Sequence, residues 1–428
     1  MIRSSSLQSA AALALVMALA APAAAQGSAP VETADGTITS AQDIVVLGSI
    51  GYRNRSESEA EPVVSYDSEF FQRFEPLTAG DALKRVPSVT FLSDVIESDG
   101  ARLRGLPPGY TQILINGEKV PGSNADRSFF LDRIPAELID RVEIVRSSSA
   151  RRTGDAVAGT LNIKLRDGYE LDGGYIRAGA LYFDDKELEP SVGGVIGGAL
   201  GPGRFLLGAN FQGRHNPKKK YSLRYGDSPE NNPDYATDDF DNREDQSDVR
   251  DGKDYSFNAT YDIKGDTTDF SISGFYVHTD RTETERSFEY DHPTAINGPV
   301  LATPPGNLTV DNANVARINQ DNYSVAGKLA HRWSAGETSL KLGYAWFDEK
   351  VFETEYEVEF DRALPRFTGD QTRTGIPDRE FSVKLEHAID LGGNAKLVFV
   401  GFWQDKDRDT SITEAPRDRY NLTAADRQ

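Results

Sequence analysis

The polar connections in the second part of the chain alternate in length, and this pattern constrains the fold more than any other feature. From residue 169 onward the sequence contains only strand-like segments. Short connections are found at 201–203, 264–266, 334–337 and 392–394, and they alternate with longer ones at about 184–190, 215–253, 291–320 and 361–378. Tight turns at one end and long loops at the other are typical of transmembrane β-barrels.

Side-chain alternation within these segments supports the same fold. Phe257, Ala259 and Tyr261 are interleaved with the polar residues Asn258 and Thr260, so one face can contact lipid and the other a polar interior. The alternation and the turns predict nine strands, near 174–183, 191–200, 204–214, 254–263, 267–290, 321–333, 338–360, 379–390 and 394–413. An odd number of antiparallel strands cannot close a bacterial barrel, so we expect a truncated chain. A soluble β-sandwich with one solvent-exposed face is the alternative.

Composition excludes several functional classes. The 47 Lys and Arg against 67 Asp and Glu give a net charge of −20, which repels nucleic-acid phosphates. The absence of Cys and the five scattered His residues argue against thiolate metal sites and cysteine nucleophiles. No run of 18 apolar residues is available for a membrane-spanning helix. We therefore expect no metal, no cofactor and no catalytic residue.

The first 26 residues have the pattern of an export signal. Arg3 supplies a positive charge, an apolar run covers 10–21, and three alanines at 23–25 form a cleavage site. Residues 27–62 are poor in large apolar side chains, so we expect a flexible tail. Within this tail, the aliphatic segment 43–49 (DIVVLGS) has the composition of an extended peptide that adds to a partner's sheet edge. A stray apolar patch and an N-terminal strand are the alternatives.

Residues 63–168 read as a small α+β module. A short helix in 80–89 ends before Pro87, and Asn116-Gly117 predicts a type I′ hairpin turn between two strands. Pro135 begins a second short helix that leads into a strand. A further apolar strand at 158–168 ends the module.

Four ordered blocks of this module resemble the plug of TonB-dependent outer-membrane receptors. They are GDALKRVPSV at 80–89, RLRGLPPGYTQILINGEKVPG at 102–122, LDRIPAELIDRVEIVRSSSA at 131–150 and GDAVAGTLNIKL at 154–165. The resemblance implies a small α+β plug domain followed by antiparallel transmembrane β-barrel strands, about nine of an expected 22. It also places the TonB box of the family at 43–49. Two departures are Ser148, where the family often has Pro, and Ala158, where it often has Gly.

The resemblance also implies a function and a set of residues. The expected protein is not an enzyme but a receptor in the outer membrane that imports a bulky, scarce nutrient, most often a ferric siderophore, with energy from its partner TonB. The residues expected to contact TonB are Asp43, Ile44, Val45, Val46 and Leu47. The residues expected to shape the plug are Arg104, Gly105, Asn116, Gly117, Gly159 and Asn162, and those expected to reach a ligand are Tyr110, Asn124, Asp126 and Arg127.

Other interpretations stay open at this point. The chain could be a non-transporting barrel that serves as an adhesin or phage receptor, an inactive receptor fragment, or a secreted hydrolase that uses two carboxylates. Arg102 and Arg104 could pair with carboxylates of the barrel wall, or could be ordinary solvated charges. The acidic stretch 227–254 has 11 acids and three bases; we expect a solvated loop there, with a Ca²⁺ site as the alternative.

Overall fold

A computed structural model describes nine segments of the chain. They are residues 53–55, 63–91, 100–119, 131, 134–146, 156–225, 240–291, 306–392 and 395–421. The predicted export signal and the aliphatic segment 43–49 lie outside these residues. Within the described segments, no helix is long and apolar enough to cross a membrane.

The N-terminal module, residues 53–168, is built on a six-stranded sheet with two short helices. The strand order is β1-β2-β7-β8-β5-β6, and β5 and β8 run parallel whereas the other pairs are antiparallel. A two-stranded ribbon joins β3 and β4. The elements are β1 (Arg53–Arg55), β2 (Val63–Asp67), α1 (Ser68–Gln72), α2 (Ala79–Leu83), β3 (Val89–Thr90), β4 (Arg102–Leu103), β5 (Thr111–Ile115), β6 (Glu118–Lys119), β7 (Ile139–Val145) and β8 (Gly159–Leu165).

Local sequence explains where the module's helices begin and end. Thr78 caps α2 because its hydroxyl accepts a hydrogen bond from the backbone N–H of Asp81 at 3.1 Å. Pro87 follows a turn after α2, which agrees with the predicted end of this helix. At the second predicted helix, Pro135 precedes a 3-10 helix at Ala136–Leu138, which passes directly into β7. The predicted helix-to-strand order is therefore present.

A large antiparallel sheet follows the module, and each strand pairs with the next along the chain. Its strands are β9 (Gly173–Tyr182), β10 (Leu188–Leu200), β11 (Gly203–Tyr225), β12 (Phe240–Lys264), β13 (Thr268–Tyr290), β14 (Leu308–Trp333), β15 (Gly336–Glu359), β16 (Arg366–Gly392), β17 (Ala395–Arg408) and β18 (Ser411–Asn421). Both β17 and β18 pair with β16, one beyond the other, so the sheet has nine strand positions. The described strands do not close into a barrel. The predicted fold class is confirmed.

Several predicted loops are wrong because the strands continue through them. Between β11 and β12 only 226–239 separate the strands, whereas the sequence predicted a connection at 215–253. The connections predicted at 291–320 and 361–378 likewise shrink to 291–307 and 360–365. In these extensions charged and amide side chains stand on both faces, so alternation no longer marks a strand. The backbone ladder and cross-strand pairs, such as Asn314 with Glu353 at 2.6 Å, hold the strands together.

The two faces of the large sheet differ in what they contact. The inner face carries Leu206, Phe275 and Val277, whose buried side chains belong to the same apolar cluster as the module's core. The outer face carries exposed apolar side chains, among them Ile176, Phe257 and Leu385. The module therefore packs on the inner face of the sheet, and the outer face presents an apolar surface.

Candidate functional site

The hairpin that joins β5 and β6 projects from the module towards the inner face of the sheet. Its two turn residues, Asn116 and Gly117, have φ angles of 54° and 86°, the left-handed values of a type I′ turn. The side-chain Oδ1 of Asn116 accepts a hydrogen bond from the backbone N–H of Leu165 at 2.9 Å. This bond ties the turn to the end of β8.

Asn162 of β8 makes a second connection to the same hairpin. Its Oδ1 accepts the backbone N–H of Gly117 at 2.8 Å, and its Nδ2 donates to Glu143 of β7 at 2.7 Å. One amide therefore links the hairpin to two other strands. Because Asn162 is 4% exposed, these bonds are shielded from water and hold the hairpin in one orientation.

The other residues expected to shape the module lie at tight backbone positions. Gly159 has a φ of 133°, and a Cβ there would lie 2.8 Å from the carbonyl oxygen of Val145. Arg104 and Gly105 have φ angles of 57° and 71°. The Arg104 guanidinium donates to the carbonyl of Arg146, so this contact is made inside the module rather than to a carboxylate of the large sheet.

Of the residues expected to reach a ligand, only Tyr110 is described. It lies on the 3-10 helix Pro108–Tyr110 and is 49% exposed. Its carbonyl accepts the backbone N–H of Ala158 at 2.9 Å. Asn124, Asp126 and Arg127 lie outside the described residues, as do Asp43, Ile44, Val45, Val46 and Leu47, so their expected roles stay predictions.

One side of the module packs against the sheet through buried apolar groups around Leu138, and we call this the dry contact. Leu138 is 2% exposed and packs against β11 so closely that a Cβ on Gly208 would be 2.8 Å from its Cδ2. Beside it, Arg177 of β9 pairs with the Glu137 carboxylate at 3.0 Å. Apolar packing next to an ion pair fixes this edge of the module against the first strands of the sheet.

On the side of the β5–β6 hairpin, polar side chains and a cavity lie between the module and the sheet. Small residues of the inner face lie opposite the hairpin, including Ser273, Ser324 and Gly343. Next to them a cavity of about 290 Å³ separates the module from strands β12–β15. Polar and charged side chains line this cavity, which reaches the segment that leads from the module into β9.

That segment is held by contacts to the first strands of the sheet. Gly168 donates its backbone N–H to Asp262 at 3.1 Å, and the Gly168 carbonyl accepts from Arg204 Nε at 2.9 Å. Glu170 lies at the cavity rim. The surrounding protein removes water from its carboxyl, and this desolvation raises its pKa to about 7. The negative charges of Asp140 and Asp167 add to the rise.

Comparison with known sequences identifies the module. Residues 55–160 match the family described as the TonB-dependent Receptor Plug Domain. The chain carries a TonB-dependent receptor plug domain. The resemblance found in the four sequence blocks is therefore confirmed, and we call the N-terminal module the plug from here on.

Similar proteins of known identity match parts of the chain. The Rhizobactin receptor of Rhizobium meliloti (strain 1021) is 29% identical over 173 residues, which are 39% of this chain and 20% of that protein. The crystal structure of the ferric citrate transporter FecA is 14% identical, with a TM-score of 0.39 over 84% of this chain and 60% of that one. The ferric-catecholate import receptor Fiu from E. coli K12 is 12% identical, with a TM-score of 0.39 over 84% and 67%.

The acidic stretch 227–254 differs from the sequence-based expectation. Residues 240–254 belong to β12, so this part is not a loop. Glu244 of this part accepts a hydrogen bond from Ser287 at 2.9 Å and pairs with Arg224 at 2.7 Å. Within the part of the chain that the structure describes, no group of His, Cys, Asp or Glu side chains is arranged to hold a metal ion.

Sequence reasoning missed a set of lysines that the sheet brings together. Lys328 of β14 is directly opposite Lys341 of β15, and Lys341 is directly opposite Lys384 of β16. These residues are far apart in the sequence, and only the strand register reveals them as neighbours. No local motif could have identified the group.

Proposed function

We propose that this protein is a TonB-dependent receptor of the outer membrane that imports a bulky, scarce nutrient, and that this nutrient is a ferric siderophore. The observation that carries the proposal is the position of the plug, whose core is continuous with the inner face of the large sheet. A domain in this position would block the interior of a barrel once the sheet is closed. The similarity to the Rhizobactin receptor supports a siderophore as the cargo class.

The outer face of the sheet supports a membrane location. Exposed apolar residues such as Leu207, Val325 and Leu342 form a band on this face, as is typical of strands that cross a membrane with one face towards lipid. Aromatic rings close this band at one end, where Tyr323 meets Trp346 at 4.7 Å between ring centroids. Aromatic rings are enriched at membrane interfaces. Strands of up to 27 residues then extend beyond the band.

The plug's two different contacts support its displacement during transport. The dry contact at Leu138 holds one edge, whereas the hairpin side adjoins a polar cavity. Separating polar, hydrated surfaces costs less free energy than separating packed apolar ones. A pulling force would therefore open the hairpin side first.

Energy for this displacement would come from TonB. We propose that the segment 43–49, with Ile44 and Leu47 among its aliphatic residues, pairs with TonB as an added strand. The sequence predicted a flexible tail through residue 62, but Arg53–Arg55 pair with β2 in the plug sheet. The four residues 49–52 that precede β1 could extend roughly 14 Å, and a longer reach would require β1 to detach from β2.

The test uses the full-length protein in a Gram-negative strain that lacks its own siderophore receptors. Growth under iron limitation and uptake of radioactive iron are measured with a panel of ferric siderophores. We expect one siderophore to support growth, and Val45→Pro to abolish uptake because proline removes a backbone donor. Ala34→Pro in the same tail is the matched control and is expected to retain uptake. Binding without uptake in the natural protein would instead indicate a non-transporting receptor.

A further inference from the structure

The imidazole of His215 lies between two carboxylates that come from different parts of the large sheet. Its Nε2 is 2.6 Å from the Oδ2 of Asp185, in the turn between β9 and β10, and its Nδ1 is 2.6 Å from the Oδ1 of Asp251 on β12. His215 is 8% exposed, and the ring of Phe183 packs edge-on against it at 5.0 Å between centroids. One side chain of β11 therefore joins the turn to the neighbouring strand.

Both contacts can be hydrogen bonds at the same time only when the imidazole is charged. An ionised carboxylate accepts hydrogen bonds but cannot donate one, so each ring nitrogen needs its own proton. The hydrogen bond from His215 lowers the pKa of Asp185, which keeps that carboxylate ionised. A neutral ring has one N–H, and its other nitrogen would turn a lone pair towards a carboxylate oxygen 2.6 Å away. The geometry therefore requires the imidazolium form.

The backbone ladder between β10 and β11 ends before it reaches this turn. Its last pair is Ser191 with Gln212, whereas β11 continues to Tyr225. The end of the β9–β10 hairpin, residues 182–190, extends beyond that pair, and we call it the tip. In the described part of the chain, side chains rather than backbone pairs connect the tip to β11. Loss of a side-chain contact there can therefore change the position of the tip.

The tip presents the Asp185 carboxylate in a fixed orientation. Its Oδ1 accepts the backbone N–H of Glu187 at 3.3 Å, and its Oδ2 faces His215. Two backbone hydrogen bonds also close the turn, one from Phe183 to the Glu187 carbonyl and one from Lys186 to the Phe183 carbonyl, both at 3.0 Å. Because the turn is closed by its own bonds, the tip can separate from β11 without unfolding.

Other charged groups surround His215 on the same face of the sheet. Lys253 of β12 lies opposite Gly213, two residues before His215, and Asp280 of β13 lies opposite Lys253. The hairpin contributes four more charged groups: Asp184, Lys186, Glu187 and Glu189, the last of which lies over Gly213. In the described structure, none of these groups is within hydrogen-bonding distance of the ring. Four of them are acids and two are bases, so the surroundings also favour a charged ring.

We propose that His215 is a pH-sensitive clasp that holds the tip against β11 while its imidazole is charged and releases the tip when the ring loses a proton. The strand register fixes Asp251 opposite His215, whereas Asp185 belongs to a hairpin end that extends beyond the ladder. A neutral ring can keep the bond to Asp251 with its one N–H. The contact to Asp185 is then lost.

The direction of the pH dependence follows from the surroundings of the ring. Burial lowers the pKa of His215, but the hydrogen bonds and negative charges of Asp251 and Asp185 outweigh this effect, and the net shift is upwards from the usual value of 6.5. The folded protein therefore holds the proton more tightly than the unfolded chain does. The clasp is fully formed below about pH 6.5 and is lost as the pH rises through the higher pKa of the folded state.

His215 lies outside the apolar band of the sheet. The Tyr323–Trp346 pair at the end of this band is in register with Ala209 of β11, and His215 follows six residues later, about 20 Å further along the strand. The tip lies at the end of the sheet that carries the longer connections 226–239 and 291–307, which is the outer end in bacterial barrels. Exposure of the clasp to the external medium thus rests on the proposed function, whereas the contacts of His215 do not.

The test measures the mobility of the tip with a spin label on the full-length protein in detergent. The chain has no Cys, so Glu187→Cys gives a single attachment site in the turn. We expect the mobile fraction in the electron paramagnetic resonance spectrum to at least double between about pH 6 and about pH 9, as the imidazole becomes neutral. The same label at Ala335→Cys, in the β14–β15 turn at the other end of the sheet, is the control and should show no change.

Two substitutions in the labelled protein separate the clasp from general effects of charge. Asp185→Ala removes the carboxylate that the clasp needs and should give a mobile tip at both pH values. Asp184→Ala removes a carboxylate one residue away and should keep the natural pH response. Nuclear magnetic resonance of histidine-labelled protein supplies a second measurement. The signal that His215→Gln removes should titrate above about pH 6.5 in the natural protein and at lower pH in Asp185→Ala.

Three results would overturn the proposal. They are a tip mobility that does not depend on pH, a response of Asp185→Ala that equals that of Asp184→Ala, and titration of His215 below about pH 6.5 in the natural protein. Iron uptake is measured in a separate experiment. Failure of the clasp would therefore leave the proposed receptor function standing, and failure of transport would leave the clasp standing.

Discussion

The side chain of Asn162 accepts a hydrogen bond from the backbone N–H of Gly117, 45 residues earlier in the chain, at 2.8 Å. This bond crosses from a central strand of the plug to the turn that faces the sheet. It couples the hairpin's position to the core, because Asn162 also donates to Glu143. The hairpin and the two strands behind it should therefore move as one unit in any displacement of the plug.

Replacing this amide should loosen the hairpin. Asn162→Ala removes both hydrogen bonds, and each bond lost to a shielded partner costs about 1–3 kcal/mol. We expect amide hydrogen exchange in residues 111–119 to become at least tenfold faster. The control is Asn322→Ala on β14, a buried amide for which the structure shows no hydrogen bond. Unchanged exchange in Asn162→Ala would contradict the coupling.

Two glycines of the plug should differ in their tolerance of alanine. Gly159→Ala forces a Cβ to within 2.8 Å of the Val145 carbonyl at a φ of 133°, so both sterics and backbone conformation oppose it. At Gly105, with a φ of 71°, no atom lies within 4 Å of a Cβ, and only the backbone conformation opposes alanine, at about 1 kcal/mol. Urea unfolding should show the larger loss for Gly159→Ala. Equal losses would mean that the close approach to Val145 does not matter.

The dry contact between plug and sheet should depend on Leu138. Leu138→Ala removes most of a side chain that is 2% exposed and should lower the free energy of unfolding by about 2–5 kcal/mol. Limited proteolysis should then cut the plug faster than in the natural protein. Ile176→Ala on the exposed outer face is the control and should leave plug cleavage unchanged. A plug that stays equally protected in Leu138→Ala would show that another contact holds it.

Stability should depend on pH through Glu170. The pKa of this carboxyl is raised from its usual value near 4.5 to about 7 by the surrounding protein atoms and the charges of Asp140 and Asp167. Between these values the folded protein binds more protons than the unfolded chain, so stability falls as pH rises from about 4.5 to about 7. Glu170→Gln should reduce this fall, measured as the urea midpoint at pH 5 and pH 8. Glu187→Gln, in the β9–β10 turn, is the control and should keep the natural pH dependence.

The plug and the order of the large sheet were accessible from the sequence because their signals are local. Asn116-Gly117 specifies left-handed backbone conformations at two consecutive residues, and Pro135 marks a helix start by its own backbone geometry. The turns at 201–203 and 334–337 separate strands in the same way. The nine predicted strands match the nine positions observed in the sheet.

The ends of the strands and the cavity could not be predicted from local sequence signals. Where β11 to β16 have polar side chains on both faces, the periodicity that marks a strand disappears, although backbone pairing with the neighbouring strand continues. The proximity of Lys328, Lys341 and Lys384 depends on the register between β14, β15 and β16, which a sequence reading cannot supply. The TonB-contacting segment 43–49 stays a prediction, since it lies outside the described residues.

Local chemistry in the sequence by itself determined the turns, the helix starts and the alternation of apolar and polar side chains along the strands. These features arise from neighbouring residues, whose backbone preferences and spacing act over a few positions. Tertiary structure alone decided that Leu138 meets Gly208, that Asn162 holds Gly117, and that lysines from plug and sheet surround one cavity. Such contacts join residues distant in the chain, and their free energy exists only once packing and strand register bring them together.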